Sequence, residues 1–224
     1  MTVADLVPLV PALSSSQIKA IAGTTLKKLF PDLHSFLQPD SLARLFEFGD
    51  LNKIGFSYGI EVLPRQEEAH TDFKENIIIL SPGTYDALLK GMHRARFTLA
   101  HEIGHAVLHT CSIKTACLLS ASRKSSGTMP DSANIPKFRR GKFPAYMDPE
   151  WQANKFASLF LMPEDLLNWL ANKGLLTAQT LASYANVSEE AATYRIIEYK
   201  KSRSAGGLNG IHKICRKSIR IRQP

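Results

Sequence analysis

Apolar and polar positions along the chain follow two periods. Several stretches repeat apolar residues every three or four positions, as a helix with one buried face requires. Residues 16–30 put Ile18, Ile21, Leu26 and Phe30 on one face. Residues 90–109 hold no proline and space Phe97, Ala100, Ile103, Val107 and Leu108 so that they could line a stripe. A third helix begins just before Glu150, with Asp148 as N-cap and Pro149 at its first position, and runs to about Met162, where Pro163 interrupts it. Between the first two helices the period changes to two. Residues 56–63 alternate apolar and polar and end at Pro64, and residues 76–80 are a short β-branched run closed by Ser81-Pro82-Gly83. These stretches predict a small antiparallel sheet of strands 56–63, 70–74 and 76–80 beside the second helix. An edge strand of such a sheet could hold an extended peptide by strand addition.

The remaining pattern is helical or irregular. Residues 1–15 read as irregular, and Pro31-Asp32 and Pro39-Asp40 punctuate two short helical pieces. Residues 163–173 predict a helix closed by Gly174. A helix over 177–185, the turn Asn186-Val187-Ser188 and a helix from 188 to about 200 make a helix-turn-helix-like unit. The fold class is therefore α+β. Its organisation reads as an N-terminal helical segment (1–50), a core (51–174) with a long basic insertion (112–148), the helix-turn-helix-like unit (175–200) and a basic tail (201–224).

The second helix carries chemistry. His101-Glu102-Ile103-Gly104-His105 is an H-E-x-x-H pattern. Positions i and i+4 share a helical face, so both imidazoles can reach one metal ion, and Glu102 can serve as base to a metal-bound water. Gly104 costs roughly 1 kcal/mol inside a helix, so its presence suggests that another backbone passes close. Catalytic zinc takes three protein ligands and keeps one open position. Glu150, in the first turn of the third helix, is the best candidate for the third ligand. Its other reading is a carboxylate that complements the helix dipole. Asn154, four residues on, could hold a ligand histidine through its second ring nitrogen. His109 lies two turns from His101, about 12 Å along the axis, which suits a supporting or surface position better than a ligand. Tyr146, just before the third helix, is a candidate donor to an oxyanion.

Composition narrows the setting. The net charge of +8 is matched by residues 200–224, which hold eight Lys or Arg and no acid. Such a tail could touch nucleic acid non-specifically or seek an acidic partner. Three cysteines, Cys111, Cys117 and Cys215, form no CxxC pair and leave an odd number, which argues for a reducing cytoplasm. The N-terminal stretch lacks a basic region and is broken by Pro8 and Pro11, so it is a poor signal peptide, and no apolar run could span a bilayer. The long segment 112–148, rich in Ser, Pro, Gly and basic residues including Lys137, Arg139, Arg140 and Lys142, reads either as a lid over the cleft or as a solvated insertion.

Three blocks in order, RARFTLAHEIGHAVLH, EWQANKFASLFLMP and LASYANVSEEAATYRI, resemble the ImmA/IrrE family of zinc metallopeptidases. The resemblance covers about residues 56–199. It implies a zincin-like core, one Zn²⁺ per chain held by His101, His105 and Glu150, and Glu102 as catalytic base. It also implies a protein substrate, a helix-turn-helix repressor cut to control transcription. The segment between His105 and Glu150 is longer here than the family usually shows, which bears on the shape of the cleft. Two other readings stand beside this one. The chain could be a non-catalytic regulator that binds DNA through the helix-turn-helix-like unit and tail, although Glu189 and Glu190 would repel phosphates there. Or it could sequester a repressor without cutting it.

Overall fold

The computed structural model describes residues 6–8, 10–30, 32–38, 40–64, 67–122, 137–139 and 144–218. In chain order the elements are β1 (Leu6–Pro8), α1 (Ser15–Leu29), α2 (Leu33–Leu37), α3 (Ser41–Glu47), a 3-10 turn (Asp50–Ile54), β2 (Ser57–Ile60), β3 (Ala69–Asp72), β4 (Ile77–Leu80), α4 (Pro82–Leu89), α5 (His93–Ser122), β5 (Lys137–Arg139), a second 3-10 turn (Ala145–Met147), α6 (Pro149–Leu161), α7 (Glu164–Asn172), α8 (Ala178–Ala185) and α9 (Glu189–Ser218). Among the described residues no helix is long and apolar enough to cross a membrane.

The fold is α+β, as the two periods predict, and mostly helical. The apolar faces of α1, α5 and α6 meet in one buried cluster, which also takes Leu166 and Leu170 from α7 and Leu181 and Ala192 from α8 and α9. Stacked and edge-on rings fill its centre. Phe36 meets Phe30 at 5.1 Å and Phe160 at 5.6 Å, and Phe160 stacks on Phe156 at 5.5 Å. Such pairs bury large apolar area and add directional preference. Because α6 packs on both α1 and α5, this cluster sets where α6 sits relative to the H-E-x-x-H helix.

The sheet corrects the expectation in one respect. Its order is β2-β4-β3, with β3 antiparallel to β4 but β2 parallel to it, so it is mixed rather than antiparallel. The run Ile77-Ile78-Ile79-Leu80 is the central strand, paired on both sides and largely buried. A continuous apolar run, as opposed to an alternating one, suits that place. The turn from β3 to β4 is tight: Asp72 Oδ1 accepts from the backbone N–H of Lys74 and Glu75, and Asn76 takes a left-handed φ of 55°. The longer link out of β2 instead carries the chain across β4, so β3 enters on the opposite edge.

Other boundaries also differ. Ser81-Pro82-Gly83 opens α4 rather than a simple turn, with the Ser81 hydroxyl accepting from Thr84 N–H and Pro82 in the first turn. Ser followed by Pro at the first helical position is a helix start as well as a turn signal. The helix α5 continues to Ser122, so the start of the expected 112–148 insertion is helical, and α9 runs to Ser218 instead of ending near residue 200. The rest of the insertion, apart from β5 and residues 144–148, and the tail beyond Ser218 lie outside the described residues. Near the N-terminus, β1 pairs antiparallel with β5, Leu6 opposite Arg139. At the C-terminal unit Asn186 adopts φ 50° and donates its Nδ2–H to Gly91 O at 3.2 Å, tying the α8–α9 turn to the approach to α5.

Candidate metal centre

Two helices bring the candidate residues together. On α5, the i, i+4 spacing sets the rings of His101 and His105 4.6 Å apart, with their Nε2 atoms 2.9 Å apart. On α6, the Asp148 side chain caps the helix by accepting from Glu150 N–H at 3.0 Å, which puts Glu150 in the first turn. Its carboxylate reaches across to α5: Oε2 lies 3.4 Å from His101 Nε2 and Oε1 lies 3.5 Å from His105 Nε2.

Gly104 allows this approach. A Cβ placed there would come within 3.1 Å of Phe156 Cδ1, 3.2 Å of Phe156 Cβ and 3.3 Å of Ala153 Cα. The close neighbour anticipated from the sequence is thus the backbone of α6 itself, one residue from Asn154. A side chain at 104 would press on Ala153 and Phe156 of the Glu150 helix.

The three donors fit a small divalent cation. An ion bound at about 2.0–2.2 Å in a tetrahedral setting keeps its ligand atoms about 3.3–3.5 Å apart. The two Glu150 distances fall there, and only the His–His separation is shorter. All three donor atoms lie within 4.8 Å of one another, so His101, His105 and Glu150 could hold a metal ion. Histidine and carboxylate donors suit zinc, iron and similar ions.

The electrostatics answer to this convergence. Hydrogen bonds from His101 and His105 hold the Glu150 carboxyl well below the usual carboxylate range, against the effect of its partial burial. Burial works against charge on His101, yet the Glu150 hydrogen bond and the negative charges of Glu102 and Glu150 outweigh it and raise its pKa. His109 goes the other way: burial first, then the neighbouring His105, pushes it down from 6.5 to about 3.

Beyond the three candidate donors each histidine ring has a second partner. His101 Nδ1 lies 3.0 Å from Asn154 Oδ1, the pairing the i+4 spacing from Glu150 suggested. His109 is no surface residue. It is fully buried, with Nδ1 3.0 Å from His105 Nδ1 and Nε2 3.0 Å from Gln152 Oε1. Glu102 is 7% exposed, and the Thr71 hydroxyl of β3 donates to its Oε2 at 2.7 Å. Tyr146 presents its carbonyl to this region: that oxygen accepts from Gln152 Nε2 at 2.8 Å and from Leu13 N–H at 3.0 Å, while the ring is about half exposed.

The centre opens into a cleft of about 520 Å³ between β3 and α5. Glu68, Thr71, Arg94, His101, Glu102 and Glu150 are among its lining residues, and Tyr146 is not. At one end Glu68 pairs with Arg94 at 2.8 Å and accepts from Thr98 at 3.1 Å. Sequence reasoning missed Thr71 and Gln152. Thr71 gave no signal, because its role depends on which strand lies beside α5. For Gln152 the signal was a polar residue on the apolar face of α6, two positions from Glu150.

Comparison with known proteins adds three findings. No curated protein matches the chain. A solved structure similar to it is a Mycobacterium tuberculosis transcriptional regulator, at 14% identity and a TM-score of 0.44, over 80% of this chain and 46% of that one; the chain thus spans less than half the length of that structure. The model of the IrrE N-terminal-like domain, Peptidase_M78, matches residues 90–196, from just before α5 into α9. That match takes in the H-E-x-x-H helix, the Glu150 helix and the α8–α9 unit in one span, and it supports a likeness of residues 90–196 to the ImmA/IrrE metallopeptidases.

Proposed function

We propose that the protein is a zinc-dependent endopeptidase that cuts a helix-turn-helix repressor or related regulatory protein. The observation that carries this reading is the convergence of two imidazole nitrogens and one carboxylate at the floor of an open cleft, beside a buried glutamate. His101, His105 and Glu150 would hold the ion. When bound, zinc supplies Lewis acidity, lowering the pKa of water towards neutrality and polarising a carbonyl. Glu102 moves the proton. Its Oε2 is engaged by Thr71, so Oε1 takes the proton from the attacking water and returns it to the nitrogen of the leaving amine. The hydroxyl of Thr71 fixes the carboxylate plane, so little reorganisation accompanies transfer.

The choice of substrate rests on the family resemblance, and the family match supports a protein substrate in general. A cytoplasmic setting accompanies it, since repressors act there, and the exposed thiol of Cys111 suits a reducing compartment.

The test is Glu102→Gln, assayed with zinc-loaded protein against a candidate repressor. Zinc affinity should stay within a few-fold of the original, while the cleavage rate falls by about 10²–10⁴-fold. Unchanged cleavage would remove Glu102 from the chemistry. An unchanged response of the partner with no cleavage in either protein would favour sequestration.

A further inference from the structure

We propose that a cavity between α1, α2, the α6–α7 junction and α9 binds a small carboxylate with an apolar body, held at its charged end by Arg195. The cavity has a volume of about 460 Å³ and shares no lining residue with the cleft at the metal centre. Small-molecule pockets occupy about 300–1,000 Å³, so this one is large enough. It lies beside Leu159 and Pro163, at the opposite end of α6 from Glu150.

Arg195, on α9, is 4% exposed. Its Nε–H donates to Met162 O at 3.1 Å, and among the described residues it makes no other hydrogen bond and no ion pair. The two acids that act on it through space are engaged elsewhere: Glu164 with Lys19 at 2.6 Å, and Glu198 with Lys155. Burial lowers its pKa, and the charges of Glu198 and Glu164 offset this only in part. A buried cation without a matched partner is costly. The guanidinium carries five N–H groups in a planar fork, so four remain for the cavity that Arg195 lines. A carboxylate meets that fork with two parallel hydrogen bonds.

Gly23 supplies an independent observation. It lies in the middle of α1, where glycine is unfavourable relative to alanine. Its backbone is not left-handed, and a Cβ added there would meet no atom within 4 Å among the described residues. Gly104 is explained by the crowding of α6, whereas packing gives no such reason for Gly23. What a side chain at 23 would take up is room in this cavity, which Gly23 lines.

The lining selects the class of ligand. Leu26, Phe30, Leu159 and Pro163 supply an apolar wall for the body. Lys19 and Lys27 stand against Asp32, Glu164 and Asp165, so with Arg195 the formal charges of the lining balance. A balanced lining suits a single carboxylate better than a doubly charged phosphate.

The test uses the full chain without added metal, labelled with ¹⁵N, and 3-phenylpropionate as the probe. The comparators are 3-phenylpropanol, which keeps the body and lacks the charge, and inorganic phosphate, which lacks the body. The acid should give saturable amide shifts centred on Gly23 and Arg195, and should bind at least about 10-fold more tightly than either comparator. Arg195→Gln should weaken its binding by about 10–100-fold. Gly23→Leu fills the space from an unobstructed position, so it should abolish the saturable shifts while the melting temperature stays equal or rises. The proposal is overturned if the acid does not bind saturably, if the alcohol or phosphate binds as tightly, or if Gly23→Leu leaves binding unchanged. Should Arg195→Gln fail to fold, Gly23→Leu and the alcohol decide the matter. Neither metal nor cleavage enters these measurements, so the outcome is independent of the peptidase reading.

Discussion

At Glu150 one carboxylate faces two imidazoles, and the shifts have opposite signs. The lowered pKa of Glu150 contributes stability that is present above about 4.5 and is lost as pH falls through its depressed value. The raised pKa of His101 contributes stability that is present below 6.5 and is lost as pH rises through its folded value. In the metal-free protein the pair is therefore fully effective between those two reference values. A metal must displace the proton from His101, so its affinity should fall as pH drops, beginning above pH 6.5. Chelator competition between pH 8 and pH 5 measures this, and a flat profile would contradict it. Replacing Asn154 by Ala removes the acceptor of His101 Nδ1 and should weaken metal binding by about 10–100-fold, read in the same titration. At this scale the sequence already pointed to the residues that lie together. Spacing pairs His101 with His105, and the Asp148-Pro149 helix start positions Glu150 and, one turn later, Asn154. Thr71 and Gln152 were hidden because their partners come from other elements.

Between elements, the approach of α5 to α6 is the sensitive quantity. Alanine at Gly104 would gain about 1 kcal/mol of helix propensity. Against this, its Cβ would press on the Cα of Ala153 and on Phe156, whose ring is stacked against Phe160 and has little room to give. Overpacking of that kind costs about 1–3 kcal/mol. We expect a net loss of up to about 2 kcal/mol in denaturant unfolding, together with weaker metal binding as Glu150 moves outward. Stability equal to or above the original would show that α6 yields without cost. Helix starts and stops were largely legible because caps and prolines act locally: Asp148, Gly174 and Asn186 each sit at the helix end their chemistry suggests. Strand direction was not, because a crossover and a hairpin leave the same alternation in the strands they join. The triple-isoleucine run did hint at a central strand.

For the molecule as a whole, the ring cluster around Phe156 joins the helices that carry the donors. Phe156→Ala should cost about 3–5 kcal/mol by denaturant unfolding. A loss under 1 kcal/mol would mean the site does not depend on this packing. The single core was foreseeable from helical periodicity, whereas the way α1 and α2 pack onto α6 was not, since apolar faces do not name their partners.

That same docking bears on what happens when the ion is stripped away. Small zinc-finger domains lose their fold with their metal because little else orders them. Here the distances among three donor atoms are set by aromatic and aliphatic contacts well away from the cation. Dialysis against a chelator should leave the helical circular dichroism and the cooperative melt in place. Returning the ion at about 100 times its dissociation constant should then add about 2.7 kcal/mol. Exchange of one divalent ion for another, with cobalt as a coloured reporter, should therefore proceed on a scaffold that keeps its shape throughout.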